Sequence, residues 1–110
     1  EHTIREPLDA GYWVGFTLYP ITKCSPKRAV DMLECYGRER ILVNSSADWG
    51  PSDPFTLQEC IQDFRRRGHS TQEAIEIFHN NPCRFLGQCS HFDIKPIRIE
   101  EASECITAAL

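Results

Sequence analysis

Two carboxylates in the stretch RILVNSSADWGPSDP, residues 40–54, are the side chains most open to chemistry. Asp53 stands directly before Pro54, where a helix opens. An acidic residue there, with a proline at the first helical position, is read as a cap. Asp48 has no helix to cap, because Gly50-Pro51 intervenes. A solvated turn residue and a site residue are equal readings for it. A carboxylate placed just past a buried strand can accept a proton from a reacting group or contribute an oxygen to a divalent cation. Trp49 beside it either walls a pocket or packs over the strand ends. In the other candidate loop, YPITKCSP, Tyr19 and Lys23 could meet an anion, although most surface lysines bind nothing in particular.

The elements that would position these residues follow from pattern. TIREPLDAG, residues 3–11, has Ile4 and Leu8 on one helical face and Gly11 as a stop, with Pro7 as an imperfection. YWVGFTLYP, Tyr12 to Pro20, carries no charge and predicts a strand buried on both faces. Ser25-Pro26 opens a helix with Ala29, Val30, Leu33 and Tyr36 inward and Gly37 at its end. RILVNSS is a second charge-poor strand. Asp53-Pro54 then starts a helix with Phe55, Leu57, Ile61 and Phe64 inward, and Gly68 ends it. Arg65, Arg66 and Arg67 suit the negative end of its dipole. A further helix is placed from Thr71 to Gly87, with Thr71 spaced like the start of a capping box but lacking a Glu three residues on. IKPIRIE alternates like an exposed strand interrupted by Pro96, and EASECITAAL is a short helix or a frayed end. Strands alternating with helices imply an α/β fold with a parallel sheet. Two strands alone cannot cover the faces and edges of such a sheet, so part of a larger fold is expected.

Bulk properties narrow the function. With 110 residues the chain suits one small domain, and its 41% hydrophobic, 25% charged composition is that of an ordinary globular protein. The formal charge of -4, with no basic stripe beyond the three arginines, makes nucleic acid an unfavoured partner. Apolar runs are too short to span a membrane. The six cysteines (24, 35, 60, 83, 89 and 105) are widely and irregularly spaced, with no secretory leader read in the chain. Reduced thiols and a cytoplasmic location are therefore expected. Cys83, Cys89 and His91 have the wrong spacing for zinc. His69 and His79 read as structural or exposed.

GYWVGFTLYPITKCSPKRAVDMLECYGRERILVNSSADWGPSDP, followed by NNPCRFLGQ, resembles the C-terminal part of a TatD-related metal-dependent hydrolase of the amidohydrolase superfamily. The resemblance runs from Thr3 to about Phe92 and is closest to the TatD-like proteins of Ebo-type clusters. It implies a (β/α)8 barrel of which residues 1–93 are the last βα units and residues 94–110 a tail. On it, Tyr12 to Tyr19 correspond to the seventh strand and Ile41 to Asn44 to the eighth. NNPCRFLG corresponds to a terminal-helix packing segment. The implied activity is hydrolysis of ester, phosphoester or amide bonds by metal-activated water. Asp48 would be metal ligand and catalytic base, with Trp49, Tyr19 and Lys23 lining the substrate pocket. The implied cofactor is zinc or a similar divalent ion, held in the complete barrel and not by this chain alone. The family's Asp directly follows its strand, whereas NSSAD delays it here. The implied partners are a small-molecule substrate and either the rest of the barrel or a second copy. The alternative is a non-catalytic remnant or interaction module lacking the histidine ligands.

Overall fold

The computed structural model describes residues 2–19, 23–47 and 50–99. Helix α1 (His2–Asp9) leads into strand β1 (Val14–Leu18), and α2 (Pro26–Tyr36) crosses to β2 (Ile41–Ser45). Helix α3 (Thr56–Arg66) follows. A last helical rod consists of α4 (Thr71–Ile75), a π-helical turn (Glu76–Asn80) and α5 (Asn81–Leu86). The two strands pair in parallel, with Val14 opposite Ile41 and Leu18 opposite Ser45.

The sheet is one-sided, which corrects the expectation of strands buried on both faces. Phe16 and Leu18 of β1 and Ile41 and Val43 of β2 lie in the core. They pack with Leu8 of α1, Ala29, Val30 and Leu33 of α2, Cys60 and Phe64 of α3, Ala74 of α4 and Ile77 of the π turn. On the opposite face Gly15 and Asn44 are exposed, and Thr17 and Leu42 are half-buried. The period-2 geometry of a strand makes this division absolute: alternate residues belong to different faces. Among the described residues, only one face carries helices.

Local chemistry starts and stops these elements. Ser25 caps α2, its hydroxyl accepting the Arg28 N–H at 3.2 Å ahead of Pro26, and Gly37 ends the helix at φ 87°. Helix α3 begins at Thr56, a little later than the sequence suggests. Asp53 Oδ1 accepts the Phe55 N–H at 2.8 Å, and the Thr56 hydroxyl donates to the Asp53 carbonyl at 2.8 Å. Asp53 thus closes the turn into the helix and does not cap a helical N–H. Phe55 is 66% exposed, against the expected inward position. Nine residues at about 100° each put Phe55 on the opposite side of the helix from buried Phe64.

The last rod starts at Thr71 as expected, but its cap is Ser70 and not Thr71, and the capping box is complete. The Ser70 hydroxyl accepts the Glu73 N–H at 3.1 Å, and the Glu73 carboxylate accepts the Ser70 N–H at 2.6 Å. The strand expected in the 94–100 stretch is not formed over its described residues: 92–98 have no regular secondary structure. The 101–110 segment lies outside the described residues.

Ion pairs join the helices across their outer ends. Arg67, just past α3, donates to Asp31 at 2.7 Å, Glu34 at 3.1 Å and Asp63 at 2.9 Å. His69 stacks flat on Phe64 at 4.0 Å, with Nε2 2.8 Å from Glu34. Arg67 therefore ties α2 to α3 as well as meeting the dipole. At the start of the sheet, buried Asn81 donates to the carbonyls of Arg38 at 2.7 Å and Ile41 at 2.9 Å. Phe85 meets Trp13 edge-on at 5.5 Å. The NNPCRFLG segment thus clamps the N-terminal ends of the strands.

Candidate functional site

The carboxyl ends of parallel strands are where α/β folds collect functional residues, because the loops entering the next helix converge there. Here those ends are Leu18 and Ser45. Tyr19 follows β1 directly. Its N–H donates to the Cys24 carbonyl at 3.1 Å, and its carbonyl accepts the Lys23 N–H at 3.2 Å. These bonds turn the chain tightly, and Leu18 forms a parallel bridge with Cys24.

Tyr19 is buried, and its hydroxyl meets the second loop. A Cβ built on Gly50 would lie 2.9 Å from Tyr19 Oη. Gly50 also has φ 58°, a left-handed backbone that side chains with a Cβ adopt at a cost. Glycine is therefore needed at this position twice over, by backbone and by space. The two strand-end loops touch through this contact. Asp48 and Trp49 lie outside the described residues. Lys23 is exposed, and its backbone N–H donates to the Tyr19 carbonyl. Asp53, the other acid of the opening stretch, is an exposed turn residue occupied with the Phe55 N–H.

Other groups with chemical potential are accounted for elsewhere. Burial pushes the Cys24 thiol up and the Cys60 thiol up to about 12, so both stay protonated and weakly nucleophilic at neutral pH. Cys24, Cys35, Cys60, Cys83 and Cys89 are all free thiols. A cleft lined by Ile61, Arg65, Thr71, Ala74, Phe78 and His79 takes none of its walls from the strand-end loops.

Among the described residues no three His, Cys, Asp or Glu side chains converge as ligands would. The absence of any His-x-His or His-x-Asp pair, on which the alternative of a remnant without histidine ligands leans, does not hold: the chain contains His91-Phe92-Asp93. It follows α5 and not a strand, and both polar side chains are exposed. The described residues do not by themselves fit a metal centre.

Reasoning from sequence also missed Gly50 as the meeting point of the loops. Its neighbour Pro51 marked a turn, but nothing in the sequence pairs that turn with Tyr19. The Ser70 cap had a legible signal, Ser70-Thr71-Gln72-Glu73, obscured by assigning the cap to Thr71, one residue late. Comparison with protein-family models, with curated proteins and with solved structures finds no match to this chain. Among the described residues no helix is long and apolar enough to cross a membrane.

Proposed function

We propose that these residues are the C-terminal βα units of a TatD-like (β/α)8 hydrolase that cleaves ester, phosphoester or amide bonds. The observation that carries this reading is the one-sided sheet. Parallel strands with helices packed on a single face and the other face left open to further strands are what a segment of barrel wall presents to its exterior and interior. Tyr19 and Gly50 join the loops at the carboxyl ends of those strands, the end where barrel enzymes act.

In this reading Asp48 takes the proton of the attacking water and is one ligand of a divalent ion. Trp49 and buried Tyr19 wall the substrate cavity, and Lys23 at its rim favours an anionic substrate. The remaining ligands come from residues outside this set, since those described do not assemble a centre, and no further step is assigned to the ion.

The test is Asp48→Asn in the protein expressed from the complete reading frame that contains these residues. Hydrolysis of bis(p-nitrophenyl) phosphate and p-nitrophenyl acetate would be followed, with bound metal measured by ICP. Turnover should fall by about 10²-fold or more, as expected for loss of a general base. Metal content should drop in parallel, while the melting temperature of the metal-free protein barely changes. Full activity in Asp48→Asn overturns the assignment. The open second face also favours a different reading, a non-catalytic interaction module. A wild-type protein with neither bound metal nor turnover, yet able to associate through that face, would establish the module instead.

A further inference from the structure

The last helical rod carries a polar row at four-residue spacing: Gln72, Glu76, Asn80 and Arg84. Side chains four apart on a helix lie over one another, and here they are bonded. Glu76 Oε1 accepts from Gln72 Nε2 at 3.1 Å and from Asn80 Nδ2 at 2.7 Å, while Oε2 accepts from Arg84 at 2.9 Å. Burial acts to raise the Glu76 carboxyl, but the hydrogen bonds from Asn80 and Arg84 outweigh it and hold the group below its usual range. The row is therefore oriented by a carboxylate that stays charged.

What the row holds is main chain. Asn80 Oδ1 accepts the Ile97 N–H at 2.8 Å, and Asn80 Nδ2 donates to the Ile97 carbonyl at 2.8 Å. This is the pairing that a neighbouring β-strand would offer, supplied by one side-chain amide. Two residues on, the Ile99 N–H donates to Gln72 Oε1 at 3.0 Å. The segment runs antiparallel to the rod, from Asn80 towards Gln72. Of its side chains, Arg98 is exposed, Ile99 is 39% exposed and Ile97 is half-buried.

The accounting at Asn80 is the central point. The residue is 1% exposed, with two amide hydrogens and two lone pairs to satisfy. One hydrogen goes to Glu76 and one to the Ile97 carbonyl, and its oxygen serves the Ile97 N–H and lies 3.0 Å from His79 Nδ1. Without an extended backbone alongside, the side chain exchanges half of these partners for water. One main-chain N–H and C=O satisfy the oxygen and a hydrogen of the amide together, so this face of the helix fits a peptide.

We propose that the Gln72–Glu76–Asn80 face is a peptide groove that reads backbone, and that the segment around Ile97 fills it as a displaceable strap. Its ligand class is an extended polypeptide segment with a free N–H and C=O at one residue and a free N–H two residues on. Main-chain bonds supply the affinity, as in strand addition, and side-chain identity at the anchor is secondary. The groove is independent of the hydrolase reading.

The test uses the full chain and a fluorescein-labelled six-residue peptide with the sequence of residues 94–99. Ile97→Pro removes the N–H that Asn80 accepts and should free the groove. By fluorescence anisotropy the peptide should bind Ile97→Pro at least tenfold more tightly than the wild type. Methylating the peptide's amide nitrogen at the Ile97 position should abolish the gain, whereas Val in place of that Ile should keep it. Equal binding of the N-methylated peptide, or no saturable binding to Ile97→Pro at all, overturns the proposal. Amide hydrogen exchange in the wild type decides the matter should Ile97→Pro fail to fold. The Ile97 N–H should be protected, yet exchange at least tenfold faster than the Val43 N–H in the core sheet. An unprotected Ile97, or one that opens only with global unfolding, sinks the displaceable strap.

Discussion

At the scale of single residues, Gly50 and the cysteines make the sharpest demands. Gly50→Ala forces a Cβ into left-handed backbone and against Tyr19 Oη, and should destabilise the protein by about 1–3 kcal/mol. Tyr19→Phe removes the oxygen that the new methyl meets. The double variant should therefore lose less than the sum of the single losses, a coupling that urea titration of all four proteins would measure. Strict additivity would mean that backbone strain alone accounts for the glycine. The thiols separate by burial. Cys35 and Cys89 are exposed, whereas Cys24, Cys60 and Cys83 are buried. Iodoacetamide at neutral pH should label Cys35 and Cys89 within minutes and reach the buried three only on unfolding, as mass spectrometry of digests would show. Cys60, its thiol pushed up to about 12, should be the slowest of the described thiols.

At the scale of elements, the start of the last helical rod links stability to pH. The Ser70 N–H and the Arg38 guanidinium hold the Glu73 carboxyl down at about 2. A group depressed in the folded state stabilises at pH above its unfolded value, here about 4.5, and the contribution disappears as pH falls towards 2. Asp31 and Glu34 are lowered as well, by hydrogen bonds from Arg67 and His69 respectively, and act in the same direction. Glu73→Gln should accordingly be less stable than the wild type at pH 7 and converge with it near pH 2, as paired thermal melts would show. A gap that persists undiminished at acid pH would assign the effect to packing. Ser70→Ala removes the other half of the box and should cost about 0.5–2 kcal/mol with far weaker pH dependence.

At the scale of the whole molecule, two parallel strands with one covered face leave the other face open and most of the strand edges unpaired with a further strand among the described residues. Open edges of this kind promote pairing with another chain. The 110-residue chain alone should therefore show concentration-dependent sedimentation, with a stability below the roughly 5–15 kcal/mol usual for an independent domain. A monomer at about 100 μM that unfolds cooperatively at about 10 kcal/mol would contradict this, and with it the barrel reading that expects further strands. Phe64 sits at the centre of what core there is, 1% exposed and stacked beneath His69. Its burial by α2, α3 and the last rod shows that the helical side is finished even where the sheet side is not.

Periodicity and punctuation in the sequence marked the helices and the two paired strands, but the alternation in IKPIRIE did not make a strand. Ser25-Pro26, Gly37 and the charge-free run through Phe16 act through neighbours a few residues away, so their meaning is local. The same holds for the order of elements and for parallel pairing, since a helix between two strands leaves little else open. Facing is less local. The strand around Phe16 carries no charge, and its alternation of Val14, Phe16 and Leu18 with Gly15 and Thr17 marks an apolar face but not what covers it; only the packing of Ile41, Val30 and Phe64 against it decides that. Contacts between distant segments were illegible for the same reason. Tyr19 against Gly50, Asn81 under Arg38 and Ile41, and Asn80 along Ile97 each join residues separated by more than a dozen positions. No spacing rule covers such pairs, because they exist only once burial has removed water and left each polar group to find the partner that the fold provides.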